Sequence, residues 1–218
     1  MANPVDLDTV TRISRFRSCA GHDYSPGFGQ KKQGLPVTQE IARSMKHYID
    51  ISNPLDQPDS VKGYAPFAGT VRIYPESEPL GQQVWIDYGN GWALRFFHGD
   101  PLVKNGAKVT AGQQVVAWPP KDAFAFYGGG VDPSGKVKQM EFDVSFEYSG
   151  KSAATMISIL TKMTPQVAAL WAAKGFTPAT AILTKAYRDA HPCEVGPDGE
   201  RFTDASMALP DNFVQTAT

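Results

Sequence analysis

The sequence predicts a mainly β protein, an antiparallel β-sandwich core with a helical extension toward its C-terminal end. Three observations predict it. Between Val61 and Ala117 short apolar stretches alternate with glycine-bearing turns, the pattern of strands that pair with their chain neighbours. Within that span, QQVWIDYGNGWALRFF sets Val84 and Ile86 against Trp85 and Asp87 and then carries Asn90–Gly91, a favoured tight-turn pair between two hairpin strands. After Gly150 the apolar residues recur at helical spacing.

Taken in order, residues 1–36 form a loop-rich N-terminal segment, with SCAGHDYSPGFGQ punctuated by Gly21, Pro26 and Gly27. A β domain covers residues 37–149. It opens on VTQEIARSMKH, which predicts a short helix with Thr38 as cap and Glu40 in its first turn. HYIDI then predicts a strand, and TVRIY a second with Val71 and Ile73 on one face. Past the Asn90–Gly91 hairpin, KNGAKVTAGQQVVAW adds a turn and a strand. MEFDVSFEY closes the set with Phe142, Val144 and Phe146 on one face and Glu141, Asp143 and Ser145 on the other. The helical extension covers residues 150–191, in the runs SAATMISILTKM, TPQVAALWAAKG and TPATAILTKAYRDAH. Thr164–Pro165 and Thr177–Pro178 each give a cap followed by proline at the first helical position, and Gly175 is a terminator. The Met and Leu stripes of these runs are packing faces. Residues 192–218 are expected to run over the surface as a tail.

With 218 residues, 42% of them apolar, the chain is long enough for one domain plus an appendage and can bury a substantial core. Twenty-one basic against 22 acidic residues leave a net charge of -1. That balance carries neither the basic footprint of a nucleic-acid binder nor an acidic solvating tail, and Lys31–Lys32 reads as a solvated loop. The two cysteines, Cys19 and Cys193, make no disulfide framework and no metal knuckle. One long-range disulfide and two separate buried thiols both fit them. No stretch reaches the roughly 18 apolar residues of a membrane span, and the N-terminus carries Asp6 and Asp8 with no apolar run, unlike a secretory signal. The expectation is a soluble protein with neither membrane nor nucleic acid as partner, its compartment left open.

Four histidines occur: His22, His47, His98 and His191. His98 follows an apolar return strand in RFFHGD, where it can carry a proton, donate a hydrogen bond or ligate a metal; a hydrogen-bonded turn residue is the alternative. His22 lies beside Asp23 in the glycine-rich loop, and either could reach a shared site. Strand alternation turns His47 and Asp50 to opposite faces and puts Lys46 and Asp50 on the same one. That spacing points to a salt bridge rather than a metal pair.

Several of these pieces resemble the lysostaphin-like zinc metallopeptidases, which cut bacterial peptidoglycan cross-bridges and have the duplicated hybrid motif fold. The family's His-x-Gly-x-Asp falls on Lys46-His47-Tyr48-Ile49-Asp50. A glycine-turn phrase follows from Val61 to Val71, and the family's central hairpin on Ile86 to His98. A turn with Val103, Gly106, Val109, Gly112 and Gln113 comes next, and the closing His-Leu-His-Phe-Glu-Val falls on Gln139 to Val144. The succession covers roughly residues 44–145.

The resemblance implies a site around Asp50 and His98. The family's zinc is held by two histidines and an aspartate, and those places here are Lys46, Glu141 and Asp50. Gln139 stands where an auxiliary catalytic histidine would be. A lysine ammonium at a ligand position opposes a dication, so no zinc or other cofactor is expected, and Lys46 is expected to form an ion pair with Asp50 and Glu141. The expected function is a catalytically altered bacterial or phage domain that binds a cell-wall glycan or peptide. Trp85, Tyr88 and Trp92 would supply the aromatic surface, and the C-terminal helices an interface for a protein partner. The alternative is a hydrolase or lyase built on His22, Asp50, His98 and Glu141. In its metal version zinc or another divalent ion would be held from His22, His47, Asp50, His98 and Glu141.

Overall fold

The computed structural model of the protein describes residues 1–28, 40–51, 58–76, 81–121, 140–149 and 154–217. The chain is mainly antiparallel β-sheet with short helices near its C-terminal end. In chain order the strands are β1 Val10–Ser14, β2 His47–Ile51, β3 Val61–Tyr64, β4 Gly69–Pro75, β5 Gln82–Asp87, β6 Trp92–Pro101, β7 Lys108–Val109, β8 Gln114–Trp118, β9 Met140–Ser149, β10 Ala154–Ile157 and β11 Phe213–Gln215. The main path runs β11-β1-β2-β9-β6-β5-β4-β7, with β10 on β9. A second, smaller set joins β3 to β8 and β8 to the far end of β6.

The predicted hairpin is present. Gly89, Asn90 and Gly91 all have positive φ, 92°, 52° and 81°, and form the loop, one residue longer than the tight-turn pair alone. Val84 then faces Phe96 and Ile86 faces Leu94. These four side chains are fully buried. Alternation continues across the sheet, so Phe96 opposes Val144 and Val144 opposes His47 on the core face. Trp118, Val116 and Val61 close the core from the smaller set, and Trp171 and Phe176 from the C-terminal helices.

The helices are α1 Pro165–Ala173, α2 Pro178–Ala181, α3 Lys185–Ala190 and α4 Asp204–Met207. The proline starts of α1 and α2 stand where the sequence placed them. Three other expectations are corrected. The run SAATMISILTKM is not a helix where described. Ala154–Ile157 is a strand on the edge of β9, and Ile159–Lys162 is a single 3-10 turn, its Ser158 side chain accepting from the Leu160 amide. Unpaired backbone on β9 outweighs a helical spacing only a few residues long. Within the expected helix at 37–47, residues 40–46 are non-helical, and 37–39 lie outside the described residues. The backbone there is used by another segment: Arg17 donates to the Ser44 carbonyl and Tyr24 to that of Arg43. The loop-rich N-terminal segment also supplies β1, which lies between β2 and β11. The C-terminal tail supplies β11 and also Cys193, which forms a disulfide with Cys19 across 174 residues.

Candidate functional site

The face of the main sheet opposite the core carries the polar residues. Period-two alternation in β2 puts Tyr48 and Asp50 there, with Lys46 just before its first residue, and sends His47, Ile49 and Ile51 inward. One rung runs Arg12–Asp50–Glu141 across β1, β2 and β9. Another runs Arg72–Trp85–Arg95–Ser145 across β4, β5, β6 and β9.

Lys46 is 3% exposed. Its ammonium lies 3.8 Å from the Phe97 ring centroid, 4.3 Å from that of Tyr24 and 5.9 Å from that of Tyr48. Such contacts favour a cation by ring electrostatics when water is largely excluded. Nε2 of His22 is 3.4 Å from the same nitrogen. The loop bearing His22 and Tyr24 thus folds over the end of β2, and the Tyr24 hydroxyl accepts a hydrogen bond of 2.9 Å from Arg95. The Arg95 guanidinium lies 3.5 Å above the Trp85 ring, which packs on Tyr74 at 4.4 Å. Tyr74 is 43% exposed, so this cationic and aromatic strip reaches the surface.

The expected ion pair is corrected at Asp50. Its carboxylate meets the Arg12 guanidinium at 2.6 Å, and Arg12 also lies 4.0 Å over the Phe213 ring. Burial raises the Asp50 pKa, and the hydrogen bond and charge of Arg12 pull it back. Glu141 stands at the same rung on β9, so the structure brings Asp50 and Glu141 together at the backbone level. Gln139 lies outside the described residues. His98, at φ 59° in β6, meets a different carboxylate: Nδ1 is 2.7 Å from Oε2 of Glu76, which also accepts from the His98 amide at 3.1 Å.

Of the three positions that the resemblance sets around a zinc ion, the side chains of Lys46 and Asp50 are described and that of Glu141 lies outside the described residues. Lys46 is a buried cation and Asp50 is engaged by Arg12, so neither is a free metal donor. His47, offered as a replacement ligand, is on the core face. Its Nδ1 lies 2.7 Å from the Ser14 carbonyl and its Nε2 2.7 Å from Ser158 Oγ. Burial lowers the His47 pKa to about 4, so the ring is neutral near pH 7. Among the described residues no group of three His, Cys, Asp or Glu side chains comes together to hold a metal.

Of the three expected surface aromatics, Trp85 lies in the strip. Tyr88 and Trp92 pack against the core, Tyr88 with its ring 5.0 Å from Phe67 and its hydroxyl pKa raised by burial.

Arg12, Tyr24, Tyr74, Glu76, Arg95 and Phe97 were not singled out in the sequence. Trp85 and Arg95 lie on strands the sequence predicts to pair, but their direct opposition depends on a loop one residue longer than the Asn90–Gly91 pair. Arg12, Tyr24 and Glu76 reach their partners only through long-range folding.

Among the described residues, no helix is long and apolar enough to cross a membrane. Against known proteins, no family model matches the chain and no curated protein matches it significantly.

Proposed function

We propose that this protein is a binding module, a catalytically altered relative of the lysostaphin-like peptidases whose strip at Tyr74, Trp85 and Arg95, exposed at its Tyr74 end, takes a cell-wall glycan or peptide. The observation that carries the reading is the Lys46 ammonium, buried among Tyr24, Phe97 and His22. A buried cation there would oppose a divalent ion bound beside it. The strip offers a sugar ring or extended peptide the exposed ring of Tyr74, backed by Trp85 with the Arg95 guanidinium stacked over it.

Co-sedimentation with purified peptidoglycan sacculi, with and without added zinc, tests the reading. The wild-type protein is expected in the pellet with no soluble fragments released. Trp85→Ala combined with Arg95→Ala is expected to weaken retention at least tenfold. Release of peptide or glycan fragments would overturn it.

One observation favours an enzyme as the second reading. The Glu76 carboxylate lies 2.7 Å from one ring nitrogen of His98 and accepts from its backbone amide, a carboxylate–histidine pair of the kind used in proton transfer. That reading requires turnover lost in His98→Ala and retained in Lys46→Met.

A further inference from the structure

We propose that the Cys19–Cys193 disulfide is the fastener of the candidate site: its formation fixes the loop bearing His22 and Tyr24 over Lys46, and so makes assembly of the site conditional on a thiol-oxidising environment. The inference rests on the reading that this face is the functional one.

The loop from Cys19 to Ser25 is held from the C-terminal side. The Cys19 amide donates to Asn212 Oδ1 at 2.7 Å, the Asp23 amide to the Glu200 carbonyl at 2.8 Å, and the Phe202 amide to the Gly21 carbonyl at 3.2 Å. Arg188, fully buried, donates to the Arg17 carbonyl at 2.8 Å and to Cys19 Sγ at 2.9 Å. The apolar support for this junction is small. Cys19, Cys193 and Phe202 form a cluster separate from the main core, with Ala42 and Val195 packed against it among the described residues. Two of its three buried members are the bonded cysteines. So little apolar area cannot by itself hold two segments 174 residues apart, and a covalent link supplies what the cluster lacks. From this junction the chain runs three residues to His22 and five to Tyr24, the groups that meet Lys46 and Arg95.

The bond forms by exchange. The two thiols give up two protons and two electrons to a protein or small-molecule disulfide, which leaves as two thiols. Cys19 is 0% and Cys193 7% exposed, so in the folded protein a reductant reaches the sulfurs only through local opening. The fastener is therefore set when the chain folds and is not a rapid switch.

Hydrogen exchange followed by mass spectrometry tests this without any ligand, so its failure is distinct from failure of the binding reading. Oxidised wild-type protein is compared with the Cys19→Ala/Cys193→Ala variant and with wild-type protein held in a phosphine reductant. Amides of residues 19–25 and 43–46 are expected to exchange at least tenfold faster without the bond, while those of β5 and β6 keep their protection. Unchanged exchange in 19–25 overturns the proposal. Loss of protection across β5 and β6 as well also overturns it, because the bond would then hold the whole fold and not the site. If the double variant does not fold, the reduced wild-type time course decides between the same two outcomes. Two free thiols in denatured protein prepared under oxidising conditions would overturn it outright.

Discussion

Nζ of Lys46 lies 3.4 Å from Nε2 of His22, while Nδ1 of the same ring lies 2.9 Å from the Asp23 carbonyl oxygen. A carbonyl only accepts, so Nδ1 carries the hydrogen and Nε2 presents its lone pair to the ammonium. His22 therefore serves as a neutral support for a buried cation, beside the faces of Tyr24 and Phe97.

Lys46→Ala is expected to lower stability by about 2 kcal/mol, combining lost cation–ring contacts with a void left by the buried stem. Lys46→Met keeps most of the stem and is expected to lose less. Urea denaturation of the three proteins gives the comparison; equal midpoints would show that rings and imidazole do not hold the ammonium.

His47 makes stability depend on pH. Burial holds its folded pKa at about 4, below the ordinary imidazole value of 6.5. Between those values the unfolded chain binds a proton that the folded chain does not. Stability contributed by the neutral ring is thus complete above pH 6.5 and is lost as pH falls toward 4, by roughly 3 kcal/mol in all. Asp50, with its raised pKa, acts in the opposite sense as pH falls. The difference between wild type and His47→Gln isolates the histidine. Guanidinium denaturation at pH 7.5 and 4.5 should show the wild type losing more than the variant; equal losses would contradict the assignment.

Gly21 has φ 67°, and a Cβ there would stand 2.3 Å from the Tyr48 hydroxyl oxygen. Gly21→Ala combines a disfavoured backbone with a collision at the edge of the site, and is expected to destabilise by at least about 2 kcal/mol. The shift of Tyr48 should also appear in the aromatic NMR spectrum. An unperturbed Tyr48 signal would place the loop elsewhere.

Arg188 donates to the Arg17 carbonyl at 2.8 Å, the His191 carbonyl at 2.7 Å and the Asp211 carboxylate at 3.0 Å. A lysine keeps the charge but offers one nitrogen in place of the fork, leaving buried acceptors unmet. Arg188→Lys is expected to lower stability by about 2–4 kcal/mol. A thermal melt within a degree of wild type would show that these bonds are replaceable.

What the sequence determined by itself is what neighbouring residues settle among themselves. The Asn90–Gly91 turn, the alternation of Val84, Ile86, Leu94 and Phe96, and the proline starts at Pro165 and Pro178 depend on φ preferences and side-chain direction over a few residues. The same alternation put Lys46 and Asp50 on one face and His47 on the other. Only the tertiary structure decided which charges meet. Asp50 found Arg12 because β1 lies beside β2, and β1 forms a strand because β2 and β11 flank it. Its two core-facing residues, Val10 and Ile13, are too few to announce a strand. Likewise Glu76 reaches His98 across 22 residues and Cys19 reaches Cys193 across 174. Such pairings follow from strand order and from the closing of the C-terminal segment over the N-terminal loop. No local periodicity encodes them, because the free energy that selects them belongs to the assembled sheet and not to any one stretch of chain.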